Sequence, residues 1–408
     1  MDYMHNNSYW YNLGYDIFGN IVAAFFEWIV NRAVKDGVEK IYFISREGLV
    51  LEKLFEQYLS LHPEHKKLSH QHLFASRRSY NVASLYSLDK KEIDGISRLT
   101  YSITVRDFIF RLGLNAEDYK SEVVQYGFES LDDYIDLGAG IKRIKRFIRD
   151  FKSDILDEAE IEREGVLLYL KKQGITSLSK IAVVDVGWHG TIQNSIARML
   201  QNEELNVKTF GYYLCTFPDS EAYIQNKVRM KGYLCNQGKP KRVFELFKSC
   251  LELFEFAFTA NDNSVEKFEN IKGNLKMSFN KDLDLDIYKT QLVFAEELQA
   301  GVLDFLKNNL NRSEESMSVS MGKIAAILDN PKEEDLSKIG SLFHIDNYAG
   351  SPQILFFTRS PKVFSNNRLL NLVREYNRAL WKKGFLKRAN VFERVFLTFL
   401  IKLNILKT

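Results

Sequence analysis

The sequence predicts an α/β fold: a mainly parallel sheet interrupted by a helical insertion and followed by a mostly helical C-terminal region. Three observations predict it. Short runs of β-branched and aromatic residues alternate with helical patterns in two strand–turn–helix–strand blocks. Between the blocks, from about residue 88 to 175, helical periodicity and charge continue with no strand-like run. After about residue 270, helical patterns dominate again. The expected organisation is an α/β core from residues 1–87 and 176–265, an insertion at 88–175 and a mostly helical region at 266–408.

Taken in order, Ile17 to Val34 has helical spacing, and Gly37 is placed to close that helix. Its apolar run "NIVAAFFEWIV" is broken by Glu27 and too short to span a bilayer, so it reads as a buried helix. "KIYFIS" reads as a buried strand, "REG" as a turn, and "LVLEKLFEQYL" as a helix with Leu51, Leu54, Phe55, Tyr58 and Leu59 on one face. A polar loop runs to His70, and "HQHLFAS" is a second short strand ending at "RRS". After the insertion, "SKIAVVDV" is a strand and "TIQNSIARML" a helix. "VKTFGYYLCTF" and "RMKGYLC" are further strands, and "RVFELFKSCLELFEFAF" is one helix.

Composition bounds the function. Of 408 residues, 45 % are apolar and 13 % aromatic, which supports a sizeable core and argues against wholesale disorder. A net charge of +3 is nearly balanced, so a dedicated nucleic-acid binder is not expected. The three cysteines, Cys215, Cys235 and Cys250, form no CxxC pair and suggest reduced thiols. "MDYMHNNSYW" lacks the layout of a secretion signal, and the expectation is a cytoplasmic protein.

Ligands of parallel α/β sheets sit beyond the carboxyl ends of the strands. Three turns leave such ends. In "DVGWHGT", Gly187 and Gly190 frame a tight turn that feeds a helix whose first N–H groups favour an anion. Trp188 and His189 lie inside this cradle, and Thr191 is expected to cap the helix and donate to a phosphate oxygen. Asp185 would repel that anion and suits sugar hydroxyls or a metal instead. The turn is neither a Walker loop nor a GxGxxG fingerprint. In "FISREGLVL", Ser45, Arg46, Glu47 and Gly48 stand where strand meets helix; Arg46 can clamp phosphate, and Glu47 can accept a proton or approach a metal. In "FASRRSYNV", Ser76, Arg77 and Arg78 suit a polyanion such as pyrophosphate. Each turn alone is also compatible with an ordinary loop; together they fit a phosphorylated sugar carrying a second phosphate group. His62, His65, His70 and His72 read as solvated.

"YFISREG", "ASRRS" and "DVGWHGTIQ", in this order, resemble the glycan phosphoribosyltransferases of bacterial surface-polysaccharide gene clusters. Members often carry the label of haloacid dehalogenase-type hydrolases, because many are fused to such a domain. The resemblance covers roughly residues 10 to 260. It implies a core like that of type I phosphoribosyltransferases. It also implies transfer of 5-phosphoribose from phosphoribosyl pyrophosphate (PRPP) to a sugar hydroxyl of an O-antigen or capsule glycan, expected to be lipid-linked. A separate phosphatase would then remove the 5-phosphate and leave ribofuranose. Gly187 to Thr191 would surround the 5-phosphate, while "SREG" and "SRR" would meet the pyrophosphate with its Mg²⁺. The chain departs from the pattern in two respects. The usual pair of adjacent acids is reduced to Asp185 followed by Val186, and Glu47 and His189 stand where relatives carry Asp and a small residue.

Glu47, Asp185 and Arg46 are the expected catalytic residues, with Glu255 in "LELFEFAF" ranked behind them because a solvated face suits it equally. Rival readings are a haloacid dehalogenase-type sugar phosphatase and a non-catalytic scaffold of a glycan-assembly complex. The phosphatase needs a DxDx[TV] loop after a buried strand; "DLDLDIYKT" has the letters, but "LKMSFNK" before it does not read as such a strand. From Leu372 to Lys407, Lys and Arg outnumber Glu by nine to two. That tail is expected to be a terminal helical hairpin on the core, with peripheral contact to an anionic membrane as the alternative.

Overall fold

The computed structural model describes residues 8–65, 67–99, 102–224, 228–261, 264–280, 286–309, 314–346, 353–359 and 368–407. The chain begins with α1 (Tyr9–Leu13), a π turn (Gly14–Phe18) and α2 (Gly19–Asp36), closed by Gly37 in the left-handed conformation. There follow β1 (Lys40–Ile44), α3 (Ser45–Leu61), β2 (Ser69–Leu73) and α4 (Arg77–Ala83). The insertion carries α5 (Lys90–Ile96), α6 (Val105–Arg111), α7 (Ala139–Asp150) and α8 (Lys152–Lys172). The second block is β3 (Lys180–Asp185), α9 (Thr191–Asn202), β4 (Lys208–Cys215), β5 (Val228–Cys235), α10 (Lys241–Ser249) and α11 (Leu251–Phe256). Hairpin β6 (Val265–Ile271) and β7 (Asn274–Phe279) precedes α12 (Asp286–Asn308), α13 (Glu314–Asp329) and α14 (Glu333–Lys338). A second hairpin, β8 (Phe343–Asp346) and β9 (Gln353–Phe356), is followed by α15 (Arg368–Arg378), α16 (Lys382–Arg388) and α17 (Val391–Lys402).

The central sheet has five strands in the order β2-β1-β3-β4-β5, every neighbouring pair parallel. The inner strands β1 and β3 are near-continuous apolar runs because both faces are covered, whereas the edge strands β2 and β5 carry polar residues. Ile41, Phe43, Ala182 and Val184 face a core shared with α2, α3, α10 and α11. Tyr42, Ile44, Ile181 and Val183 face α8, α9 and the first hairpin. The chain leaves β1 into α3 on one face and β3 into α9 on the other, so the connections reverse between these adjacent strands.

Tyr9–Asp36 is long and apolar enough to cross a membrane, yet 78 % of its apolar window is buried within the protein, as the buried-helix reading expects. Ala295, Leu298 and Val302 of α12 and Ile324 and Leu328 of α13 share its core. Close approach requires Gly14: a Cβ there would lie 1.9 Å from the Leu298 carbonyl oxygen.

Several expectations are revised. The C-terminal region contributes to the main core and contains two antiparallel hairpins, which its mixed pattern concealed. Asn274–Phe279 is a strand after all, half-buried in a hairpin rather than in a buried sheet; residues 282–285 of "DLDLDIYKT" lie outside the described residues. The insertion's own core ends near Ala159, and the second half of α8 packs on the sheet through Val166, Tyr169 and Leu170. "RVFELFKSCLELFEFAF" is two helices, because Cys250 takes extended φ (−166°) between them. Finally, α15–α17 form a small cluster of their own around Leu372, Tyr376, Phe385 and Leu397.

Candidate functional site

In doubly wound sheets the crevice opens where connections from adjacent strands diverge. Here that point lies between β1 and β3, and a cavity of about 460 Å³ occupies it. All three turns reach it, contributing Ser45–Glu47, Ser76–Arg78 and Asp185–Thr191. Among the contributors that sequence reasoning overlooked are Glu252 of α11 and His344 of β8. Glu255 lines the same cavity instead of facing bulk solvent.

The first turn is no loop at all. Helix α3 starts at Ser45 directly after β1, because Ser45 adopts φ +68° and redirects the chain in one residue. A non-glycine residue held in this region is uncommon and tends to mark a functional position. His72 secures it: Nε2–H donates to the Ser45 carbonyl oxygen at 2.8 Å. His70 pairs with Glu52 at 3.0 Å, so neither histidine is simply solvated; both sit on β2. Arg46 and Glu47 face the cavity 3.9 Å apart. Gly48 does not line it. A Cβ at Gly48 would sit 2.6 Å from the Phe43 carbonyl carbon, so this glycine lets the helix start crowd the strand.

The second turn divides its residues among different tasks. Ser76 caps α4, its Oγ accepting from the Ser79 N–H at 3.1 Å. Arg77 is exposed at the cavity wall. The Arg78 guanidinium is turned to α8 and donates twice to Glu162, at 2.8 Å each, so it anchors the turn while the residue also lines the cavity.

In the third turn, Asp185 ends β3 and its Oδ1 accepts from the Val186 N–H at 2.8 Å. The Gly187–Trp188 peptide bond is cis. Gly187 passes close to β4: a Cβ there would lie 2.9 Å from the Cys215 carbonyl oxygen. The Trp188 ring packs against Phe217, Phe247 and Phe254, and its Nε1–H donates to Glu255 at 2.8 Å. The half-exposed His189 places Nδ1 2.8 Å from Asp219. Gly190, at φ +74°, is the N-cap, and Thr191 is the first helical residue rather than the expected cap. Gln193 fixes α9 to the sheet, accepting from Tyr213 at 3.0 Å and donating to the Arg229 carbonyl at 3.1 Å.

Gly190 is therefore required twice over, by its backbone angle and by space, since a Cβ would come 2.5 Å from the Met230 sulfur. Gly190→Ala is expected to cost about 1–2 kcal/mol from the angle alone. Urea denaturation checks this, and an unchanged midpoint would contradict it.

Electrostatically the cavity is polarised. Burial pushes the Glu47 carboxyl up; Arg46 pulls it back and Glu255 pushes it further. Asp185 rises well above its usual range through burial and the neighbouring Glu47 and Glu255. Burial, then Glu255, pushes Glu252 up to about 8. Between the ordinary 4.5 and about 8, folded Glu252 keeps a proton that the unfolded chain has lost, so stability falls as pH rises through that window. Glu252→Gln is expected to flatten the Tm profile between about pH 5 and pH 8 and to raise Tm at the alkaline end. Parallel profiles for the two proteins would contradict this.

Among the described residues, no group of three or more His, Cys, Asp or Glu side chains is arranged to hold a metal ion. A metal carried in on an anionic ligand would still meet Glu47 and Asp185 at the cavity wall. Part of this set was findable in the sequence: Glu252 and Glu255 are carboxylates within an apolar run, where a buried charge wants a reason. No such signal marks His344.

No family model matches the chain, and no curated protein matches it.

Proposed function

We propose that this protein transfers 5-phosphoribose from PRPP to a glycan hydroxyl, releasing pyrophosphate. The observation that carries the reading is the meeting of three sheet-edge turns around one cavity with an uneven charge distribution. At one side, the N-terminus of the 12-residue α9 offers unpaired N–H groups and a positive dipole end, which suit the 5-phosphate. At another, Arg46 and Arg77 suit the pyrophosphate. Asp185, Glu47 and Glu255 are the carboxylates for ribose hydroxyls and for the proton of the acceptor. The parallel sheet, with this cradle between β3 and α9, is compatible with a type I phosphoribosyltransferase-like core, and the cavity volume lies in the range of small-ligand sites.

In the reaction the bond between C1 and the pyrophosphate oxygen breaks as the acceptor oxygen bonds to C1 from the opposite face. The acceptor proton passes to a carboxylate, and the β-linked phosphoriboside results. Positioning and charge stabilisation supply most of the rate. Arg46 and Arg77 neutralise charge developing on the leaving group. A carboxyl that burial and neighbouring carboxylates push up, as Glu47 and Asp185 are, suits the base. Mg²⁺ bound to the pyrophosphate would add Lewis-acid neutralisation of that leaving group, and Glu47 and Asp185 are the residues placed to approach it.

The experiment is direct: incubate the protein with PRPP, Mg²⁺ and a panel of synthetic glycans. The expected result is acceptor-dependent pyrophosphate release and an acceptor heavier by one phosphopentose. Release of inorganic phosphate from sugar phosphates instead would favour the phosphatase reading.

A further inference from the structure

We propose that α17 and the segment after it form a docking surface for an anionic lipid bilayer. Helix α17 buries Leu397 against the cluster it shares with α15 and α16. Its other side is also apolar, and among the described residues it is exposed. Val391, Phe392, Val395 and Phe399 are 72, 66, 65 and 57 % exposed, and Leu403 and Ile405 beyond them 53 and 62 %. Val391, Val395, Phe399 and Leu403 repeat every four residues, so they form one stripe along the helix. Scattered exposed apolar residues are ordinary, but a continuous stripe that includes Phe399 and is flanked by Phe392 marks an interaction surface.

Charge selects the occupant. Between Arg368 and Lys407 the chain has ten Lys and Arg and two Glu. Both glutamates turn inward onto Arg359: Glu393 hydrogen-bonds it and lies 3.6 Å from Arg368, and Glu375 lies 4.0 Å from it. The exposed charges of this unit, including Lys387, Arg394, Lys402 and Lys407, are thus positive. An apolar stripe edged by basic side chains that can extend to headgroups is the pattern of a helix lying in a bilayer interface. Anionic headgroups supply the opposite charge within a screening length.

The unit is also coupled to the cavity. Leu380 lines it. The Leu380 and Trp381 N–H groups donate to Phe356 and Phe357 at 3.1 and 2.7 Å, and Trp381 Nε1–H donates to Leu328 at 3.0 Å. If the transfer reading holds, docking brings the cavity to a lipid-linked acceptor; the docking itself does not rest on that reading.

The test is co-sedimentation of the full chain with vesicles of phosphatidylcholine plus phosphatidylglycerol and with phosphatidylcholine alone. The doubly substituted Phe392→Ser, Phe399→Ser protein is the control, with Tm showing that its fold is intact. The wild type is expected to pellet with the anionic vesicles only, to be released at about 0.5 M salt, and to lose about a hundredfold in partitioning on substitution. Failure to pellet, or binding indifferent to the substitutions, would overturn the proposal. So would a wild-type dimer that dissociates on substitution while ignoring vesicles, since a second copy would then cover the stripe. No PRPP enters this assay, so its failure and failure of the transfer reading are distinguishable.

Discussion

Arg78→Ala is expected to destabilise the fold by about 3–5 kcal/mol, the usual cost of stranding one partner of a buried ion pair. Glu162 is completely buried and Arg78 6 % exposed. Burial pushes the Glu162 carboxyl up, and the Arg78 hydrogen bonds are the largest influence pulling it back. Without them Glu162 must either protonate or carry an unpaired charge among apolar neighbours. The Arg78 guanidinium also lies 4.9 Å over the Phe110 ring, so stacking is lost as well. Chemical denaturation checks this. Arg78→Met combined with Glu162→Met should recover most of the loss, because a buried pair replaced by apolar side chains of similar volume is often neutral or better. A single substitution that left the denaturation midpoint in place would show that this pair does not tie the second turn to α8.

Arg77→Ala, one residue earlier, is expected to do the opposite. Its side chain is exposed at the cavity, so Tm should stay within a degree or two, which is about the ±0.5 kcal/mol expected of surface substitutions. Transfer, however, should fall about 10²–10³-fold in kcat, the loss typical when one donor to a developing charge is removed. Arg77→Lys should restore only part of this, since a point charge replaces a planar fork. Adjacent arginines separated so cleanly, one by stability and one by turnover, would be difficult to reconcile with a merely solvated basic turn. Wild-type turnover in Arg77→Ala would remove it from the site.

Much of this architecture was legible in the sequence. The five strands of the central sheet were, because "KIYFI", "KIAVVD" and the runs at 208–215 and 228–235 are short, rich in apolar or β-branched residues and bounded by turns, while the more polar "HQHLFAS" ends in an apolar stretch before its turn. Convergence of the three turns followed from the rule that parallel strands present their carboxyl ends on one rim. What escaped was set by tertiary contact. Arg77 and Arg78 are identical in sequence terms, and only the location of Glu162, 84 residues away, separates their tasks. His344 arrives through a hairpin more than 80 residues beyond α11, and nothing local announces it. The break at Cys250 aims Glu252 and Glu255 into the cavity, yet a helical pattern runs straight through it. Gly48 was read as a ligand contact from its residue type, but close packing on β1 accounts for it; Thr191 lines the cavity as expected, while the left-handed Gly190 replaces it as cap.

The central claim is that one cavity grips PRPP at both ends, the 5-phosphate on the start of α9 and the pyrophosphate on the arginines. Calorimetric titration of PRPP, ribose 5-phosphate and pyrophosphate, each with Mg²⁺, into wild type and Arg77→Ala tests it most directly. PRPP should bind more tightly than either fragment, and Arg77→Ala should weaken PRPP and pyrophosphate while leaving ribose 5-phosphate unchanged. Absence of PRPP binding to the wild type, or equal losses for all three ligands, would contradict it.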